Sequence, residues 1–242
     1  MPVVPAQRAF YNPRMPTLPA AGFILTGGSS RRMGGDKALL PLAGRPLVLH
    51  MVEKLRPLVA EITLVGAPER YAHLGLPVLP DCEDGRGPVA GIVTALRATR
   101  FDWNLIVACD LPFLDPRLLE LDLNEAEAVR DICDAIVPQT EAGPKGQPRT
   151  QAPYVTGNEA GEGESAWVRG WQPLAAAYHR RALPAFERVL ASNHPKISRA
   201  YDSLRVRALT PDVLARFAFS PRMFNNVNSP EDYDEARRLL GG

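Results

Sequence analysis

Between Leu25 and Lys37 the chain reads Leu25-Thr26-Gly27-Gly28-Ser29-Ser30-Arg31-Arg32-Met33-Gly34-Gly35-Asp36-Lys37, with four glycines, two arginines and a lysine directly after a short apolar run. Glycine lets a backbone turn sharply and approach an anion closely. Successive amide N–H groups in such a turn form a concave anion site, and cationic side chains add the charge the amides lack. The composition suits a triphosphate. It is not a P-loop, because Lys37 follows Asp36 and precedes Ala38 instead of standing in Gly-Lys-Ser/Thr. Nor is it the dinucleotide pattern, since Gly27 and Gly28 are adjacent and the next glycine is Gly34.

A second centre is Asp110, after Leu105-Ile106-Val107-Ala108-Cys109 and before Leu111-Pro112. A carboxylate at the open end of a buried strand suits Mg²⁺, which needs only one or two carboxylates beside substrate phosphates and water. On position alone it also suits a turn or a helix N-cap. Pro80-Asp81-Cys82-Glu83-Asp84-Gly85-Arg86-Gly87 joins a strand to a helix and reads on its own as an acidic turn whose backbone Gly85 and Gly87 shape, with Asp81 and Asp84 as its candidate acceptors. Asn226 and Asn228 stand just before Ser229-Pro230 near the C-terminus. His50, His73, His179 and His194 lie in no acid–base or ligand spacing. A phosphate monoester, with its second pKa at about 6, is already a nucleophile at neutral pH and needs no general base. Its attack on an α-phosphorus is catalysed by alignment and charge neutralisation, which Lys37, Arg31, Arg32, loop amides and Mg²⁺ would supply. Ser29 or Ser30 acting as nucleophile would instead require a nearby histidine.

The elements that must hold these residues follow from apolar patterning. Gly22–Leu25, Ile62–Val65, Val78–Leu79, Trp103–Ala108 and Asp134–Val137 read as strands, and Leu174–Tyr178 as a resumption of the sheet. Helical spacing covers Pro46–Leu58, Pro88–Thr99, Ala182–Ala191 and Pro230–Leu240, the last with Ser229 as N-cap and Pro230 at the first helical position. Alternating strands and helices imply right-handed βαβ units and a three-layer α/β/α arrangement about a mostly parallel twisted sheet. Ligands of such sheets bind beyond the carboxyl ends of the strands, where both the Gly-rich loop and Asp110 lie.

Composition narrows the function. With 242 residues, 45% hydrophobic and 23% charged, one domain is expected over 21–242. Residues 1–20 are proline-rich and without an apolar signal-like core, and are expected to be a disordered tail. Residues 139–170 shift to Gly, Pro, Glu, Thr and Ser and are expected to form a flexible insertion. A net charge of +1 leaves no footprint for nucleic acid, and no apolar run approaches the ~18 residues of a membrane helix. Cys82, Cys109 and Cys133 form no Cys-x-x-Cys pair, so reduced thiols in a cytoplasmic protein are expected.

The loop resembles the signature Leu-x-Gly-Gly-x-Ser-x-Arg-Met-Gly-x-Asp-Lys of the molybdenum cofactor guanylyltransferases, the MobA family. The likeness continues at intervals from about Ala21 to Leu240, through Cys109-Asp110-Leu111-Pro112 and Asn226-Val227-Asn228-Ser229-Pro230-Glu231-Asp232. It implies a Rossmann-like nucleotidyltransferase fold. It also implies transfer of GMP from GTP to the terminal phosphate of Mo-molybdopterin, with release of pyrophosphate. Lys37, Arg31, Arg32 and Asp110 would be catalytic, with Asp110 also holding Mg²⁺. Leu25, Thr26, Gly27, Gly28, Lys37, Gly66, Asp81 and Asp110 would meet the nucleotide. Asn226 and Asn228 would meet the acceptor, in a monomer that serves molybdoenzyme-maturation proteins. Two departures stand out. Thr26 replaces the usual alanine, and Gly66 replaces the Asn often found after the second strand, which bears on one ribose or base contact. The family usually has a much shorter connection than 139–170. Rival readings are a cytidylyltransferase of the same pathway, a sugar-1-phosphate nucleotidylyltransferase, and a non-catalytic nucleotide-binding module. Cytidylyl relatives tend to carry Leu-Ala-Ala-Gly at 25–28 and Asp at 228, so Gly27-Gly28 and Asn228 favour GTP.

Overall fold

Every residue of the first strand, β1 (Ala20–Leu25), is buried, as a strand covered on both faces requires. The computed structural model describes residues 19–27, 35–83, 86–129, 131–140 and 170–240. The expected tail therefore lies outside the described residues up to residue 18, and its last member, Ala20, opens β1 instead. After β1 come a small hairpin of β2 (Pro41–Leu42) and β3 (Arg45–Pro46), helix α1 (Leu47–Leu55), β4 (Glu61–Val65), the short α2 (Pro68–Tyr71) and β5 (Val78–Leu79). Helix α3 (Pro88–Ala98), β6 (Trp103–Ala108), α4 (Pro116–Ala128) and β7 (Ala135–Pro138) follow. The C-terminal part holds β8 (Ala175–His179), α5 (Leu183–Leu190), α6 (Ile197–Ala200), β9 (Val206–Leu209), α7 (Pro211–Arg216) and α8 (Pro230–Leu240).

Seven strands make one sheet in the order β5-β4-β1-β6-β8-β7-β9. All neighbours pair parallel except β8, which runs antiparallel to both β6 and β7. No crossover helix is needed before β8, because the chain leaves β7 and returns beside it. Gln139 bridges Trp171 antiparallel, and Thr140 N donates to Gly170 O at 2.8 Å. The ends of the expected insertion thus meet, while 141–169 lie outside the described residues.

Strand alternation divides the core between two faces. Ala20 and Ile24 of β1 join Met51, Val52 and Leu55 of α1 and Leu118 and Leu119 of α4 on one side. Ala21, Phe23 and Leu25 join Ile92 and Leu96 of α3 and Phe186 of α5 on the other. The three-layer α/β/α expectation is met. Helix α1 stops at Leu55 rather than Leu58, because Pro57 lacks the N–H that would continue the ladder. Among the described residues no helix is long and apolar enough to cross a membrane, and all three cysteines are free.

Candidate functional site

The sheet has one topological switch point. From β1 the chain moves outward to β4 and β5, then returns to β6 on the other side of β1. A crevice opens beyond the carboxyl ends at such a reversal. Leu25 and Ala108 are paired there, and Cys109 N donates to Leu25 O at 3.1 Å. Asp110 follows at once, so its carboxylate stands at the mouth of the crevice.

Two segments far apart in sequence converge on that carboxylate. Lys37 Nζ donates to Asp110 Oδ2 at 2.6 Å and to Asn228 Oδ1 at 2.7 Å. Asn226 Nδ2 donates to Asp110 Oδ1 at 3.0 Å, and Val227 N donates to the Asp110 carbonyl at 3.0 Å. Lys37 and Asp110 are 14% and 16% exposed, shielded enough to hold one geometry and open enough to exchange partners with an anion. The asparagine loop is fixed by the start of α8. Asp232 Oδ2 accepts from Asn228 N and Ser229 N, and Asp232 N donates to Ser229 Oγ at 3.2 Å. This is a reciprocal capping box, with Ser229 the expected N-cap. Lys37 heads a short 3-10 turn over Lys37–Leu39 whose N-cap is Asp36, with Asp36 Oδ1 accepting from Ala38 N at 3.1 Å. Beside the asparagines is a cavity of about 360 Å³ whose lining includes Phe113, Phe224, Asn226, Asn228 and Asp232. A larger open groove of about 880 Å³ between the hairpin and α8 includes none of the predicted site residues.

A second group lies across the crevice. A Cβ on Gly27 would come 3.1 Å from Asp81 Oδ2, so the glycine brings loop backbone against the carboxylate. Gly91, in the first turns of α3, plays the same part beneath Leu25 and Asp81, with a Cβ there 3.0 Å from Leu25 Cδ1 and 3.5 Å from Asp81 Oδ1. Thr26 is turned inward. Its N–H and its hydroxyl both donate to Val65 O, at 2.9 and 2.8 Å. Gly66 explains this orientation, because a Cβ there would sit 2.0 Å from Thr26 Oγ1. The two departures from the resembled signature are thus one packing choice, since the Thr26 hydroxyl occupies the space a side chain at 66 would need.

Leu25, Thr26, Gly27, Gly66 and Asp81 therefore gather on one side, and Lys37, Asp110, Asn226 and Asn228 on the other. Gly28, Arg31 and Arg32, with Ser29 and Ser30, lie outside the described residues, as does Asp84. Sequence reasoning missed Asp36, Tyr71, Asp232 and Gly91. The last two carried signals, a Ser-x-x-Asp box and a glycine inside an apolar helix. Cys109 is no nucleophile, as complete burial and the neighbouring Asp110 push its thiol up to about 12. Among the described residues no cluster of three or more His, Cys, Asp or Glu is arranged to hold a metal. The single carboxylate of Asp110, with the amide oxygen of Asn228 linked to it through Lys37, still fits Mg²⁺ shared with phosphates.

Strand order, and charged groups gathered at the switch point rather than on a helix face, define an α/β nucleotidyltransferase. The description "MobA-like NTP transferase domain" matches residues 22–207, and the chain belongs to that family. It is 32% identical over 220 residues to a probable molybdenum cofactor guanylyltransferase of Carboxydothermus hydrogenoformans, covering 90% of this chain and 94% of the relative. It is also 32% identical to a protein of the same description from Pelotomaculum thermopropionicum, over 91% of this chain and 93% of the relative. Its fold is similar to the crystal structure of molybdopterin-guanine dinucleotide biosynthesis protein A from Archaeoglobus fulgidus. That likeness has a TM-score of 0.68 at 26% identity and covers 90% of this chain and 97% of the other.

Proposed function

We infer that this chain transfers GMP from GTP to the terminal phosphate of Mo-molybdopterin, forming the guanine dinucleotide cofactor and releasing pyrophosphate. The carrying observation is Lys37 held between Asp110 and Asn228 at the switch point. The relatives' names supply nucleotide and acceptor. An oxygen of the acceptor phosphate attacks the α-phosphorus of GTP, the bond from that phosphorus to the bridging oxygen breaks, and the electron pair leaves with pyrophosphate. No protein base is required, because the phosphate is already largely dianionic.

The chain's residues align the groups and balance charge. The Lys37 ammonium, which donates hydrogen bonds to Asp110 and Asn228, offsets negative charge growing at the α-phosphoryl oxygens and on the leaving group. On this reading Gly28, Arg31 and Arg32 continue that role along the triphosphate. Asp81 accepts from the guanine ring N–H and exocyclic amine, beside Gly27 and Thr26, with Leu25 and Gly66 at the base and ribose edge. Asn226 and Asn228 orient the acceptor phosphate. Asp110 would hold Mg²⁺, which when bound neutralises phosphate charge.

We place the reaction in the cytoplasm, in accord with three free cysteines, and assign it to a monomer that hands its product to molybdoenzyme-maturation proteins. The same reading keeps the described residues from β1 onward as one domain. Pyrophosphate release from GTP and Mg²⁺ tests it. Release that depends on added Mo-molybdopterin and stops with EDTA is expected, whereas no release, or preference for CTP, overturns the assignment.

A further inference from the structure

Tyr71 is a buried residue, 3% exposed, that no part of the mechanism uses, yet its hydroxyl ends between the two sides of the crevice. It donates to Asp36 Oδ2 at 2.8 Å. Its ring lies against the bare edge of Gly66, where a Cβ would come 3.0 Å from Tyr71 Cε2. The other oxygen of Asp36 caps the turn that carries Lys37, and Arg70 adds a looser contact to Oδ2 at 3.5 Å. A chain of short contacts therefore runs from Tyr71 through Asp36 to the turn that carries Lys37, and on to Asp110.

We propose that Tyr71 and Asp36 are positioning residues that hold the Lys37 ammonium against Asp110 and tie its turn to the base side of the crevice at Gly66. The proposal deepens the nucleotidyl-transfer reading and rests on it for its kinetic consequence. A lysine side chain has many rotamers open to it, and a shift of about 1 Å at such a group lowers a rate by as much as 100-fold. Fixing the backbone turn at its cap confines that freedom before substrate arrives. Burial raises the Tyr71 hydroxyl well above its ordinary range, so it stays protonated and able to donate to Asp36.

The test removes one oxygen. Tyr71→Phe keeps the buried ring and is expected to stay folded, to lower kcat for GMP transfer about tenfold per GTP-binding site, and to leave KM for GTP within about twofold. In a Lys37→Ala background the same substitution is expected to cost nothing further, because its effect passes through Lys37. Asp36→Asn should show the same dependence. A wild-type kcat in Tyr71→Phe, or an undiminished loss in the Lys37→Ala background, overturns the proposal. Amide hydrogen exchange at Ala38 in the substrate-free protein supplies an arm independent of the reaction. Faster exchange in Tyr71→Phe than in wild type supports the relay even if GMP transfer fails in the wild-type protein, and unchanged exchange rejects it.

Discussion

Asp110 and Asp134 stand at opposite edges of the same sheet, one just past the carboxyl end of β6 and the other just before the amino end of β7. Asp134 is saturated by guanidinium groups. Arg181 Nε donates to Oδ1 at 2.6 Å, Arg205 Nη2 donates to Oδ1 at 2.9 Å, and Arg205 N and Nε both donate to Oδ2. Burial alone would raise this carboxyl, but the bonds from Arg205 and Arg181 hold it below its ordinary range. Forked arginine pairs are rigid and specific, and here they pin the starts of β7 and β9 to the end of β8. Asp110 instead faces one ammonium and one amide, partners that can exchange for phosphate oxygens or a cation. The amino edge spends its carboxylate on stability, while the carboxyl edge keeps its own available for chemistry.

Substitutions sharpen or break that contrast. Lys37→Ala and Asp110→Ala are each expected to lower GMP transfer by a factor of about 10² to 10³ while thermal unfolding changes little, measured by pyrophosphate release and calorimetry. Near-normal turnover in either removes that residue from the site. Asp134→Ala should do the reverse. It leaves Arg181 and Arg205 beside a lost anion and is expected to cost about 2–4 kcal/mol of stability, with activity per folded molecule retained. A smaller effect tests the base side. Gly66→Ala drives a methyl into Thr26 Oγ1 and should cost about 1–3 kcal/mol, partly recovered in Thr26→Ala/Gly66→Ala, and denaturant unfolding of the two variants reads the difference.

The smallest change concerns Asp122 in α4, fully buried, with neither carboxyl oxygen hydrogen-bonded among the described residues. Burial, and secondarily Glu125, raises its carboxyl well above the ordinary range. A raised folded value means that its contribution is least unfavourable below the unfolded pKa, about 3.9, and that stability is lost as pH rises above it. Asp122→Leu should therefore stabilise by about 1–2 kcal/mol at pH 8 and by progressively less toward pH 4, as denaturant titrations at the two pH values would register.

Much of the carboxyl edge was legible in the sequence because both site strands end in uninterrupted apolar runs, Phe23–Leu25 and Leu105–Ala108. Leu25 and Ala108 therefore mark their ends, and whatever follows them falls at the crevice. Asn226 and Asn228 were legible only through the resemblance of Asn226-Val227-Asn228-Ser229-Pro230-Glu231-Asp232 to the family segment, while Ser229 and Pro230 announced the helix start itself. Tyr71 was not, since it sits on a four-residue helix too short for periodicity, and its partner Asp36 is 35 positions away. Helix α4 also escaped, although Asp115 and Pro116 form an ordinary cap. Its Leu-Leu-Glu-Leu-Asp-Leu run alternates as much as it repeats at helical spacing, and it buries an aspartate where a pattern reader expects an apolar residue. Strand β9 carries Arg207 within four residues, too short a stretch to stand out. The antiparallel course of β8 depends on Gln139 and Trp171 meeting, a long-range pairing that no local pattern encodes.

Single-turnover transfer from GTP labelled at the α-phosphorus tests the central claim most directly. With Mo-molybdopterin and Mg²⁺ present, the label is expected in the dinucleotide product in equal amount to the pyrophosphate released, with little transfer from CTP and transfer slowed about 10²- to 10³-fold in the Lys37→Ala variant. Pyrophosphate without labelled product, or equal transfer by Lys37→Ala, would contradict the account.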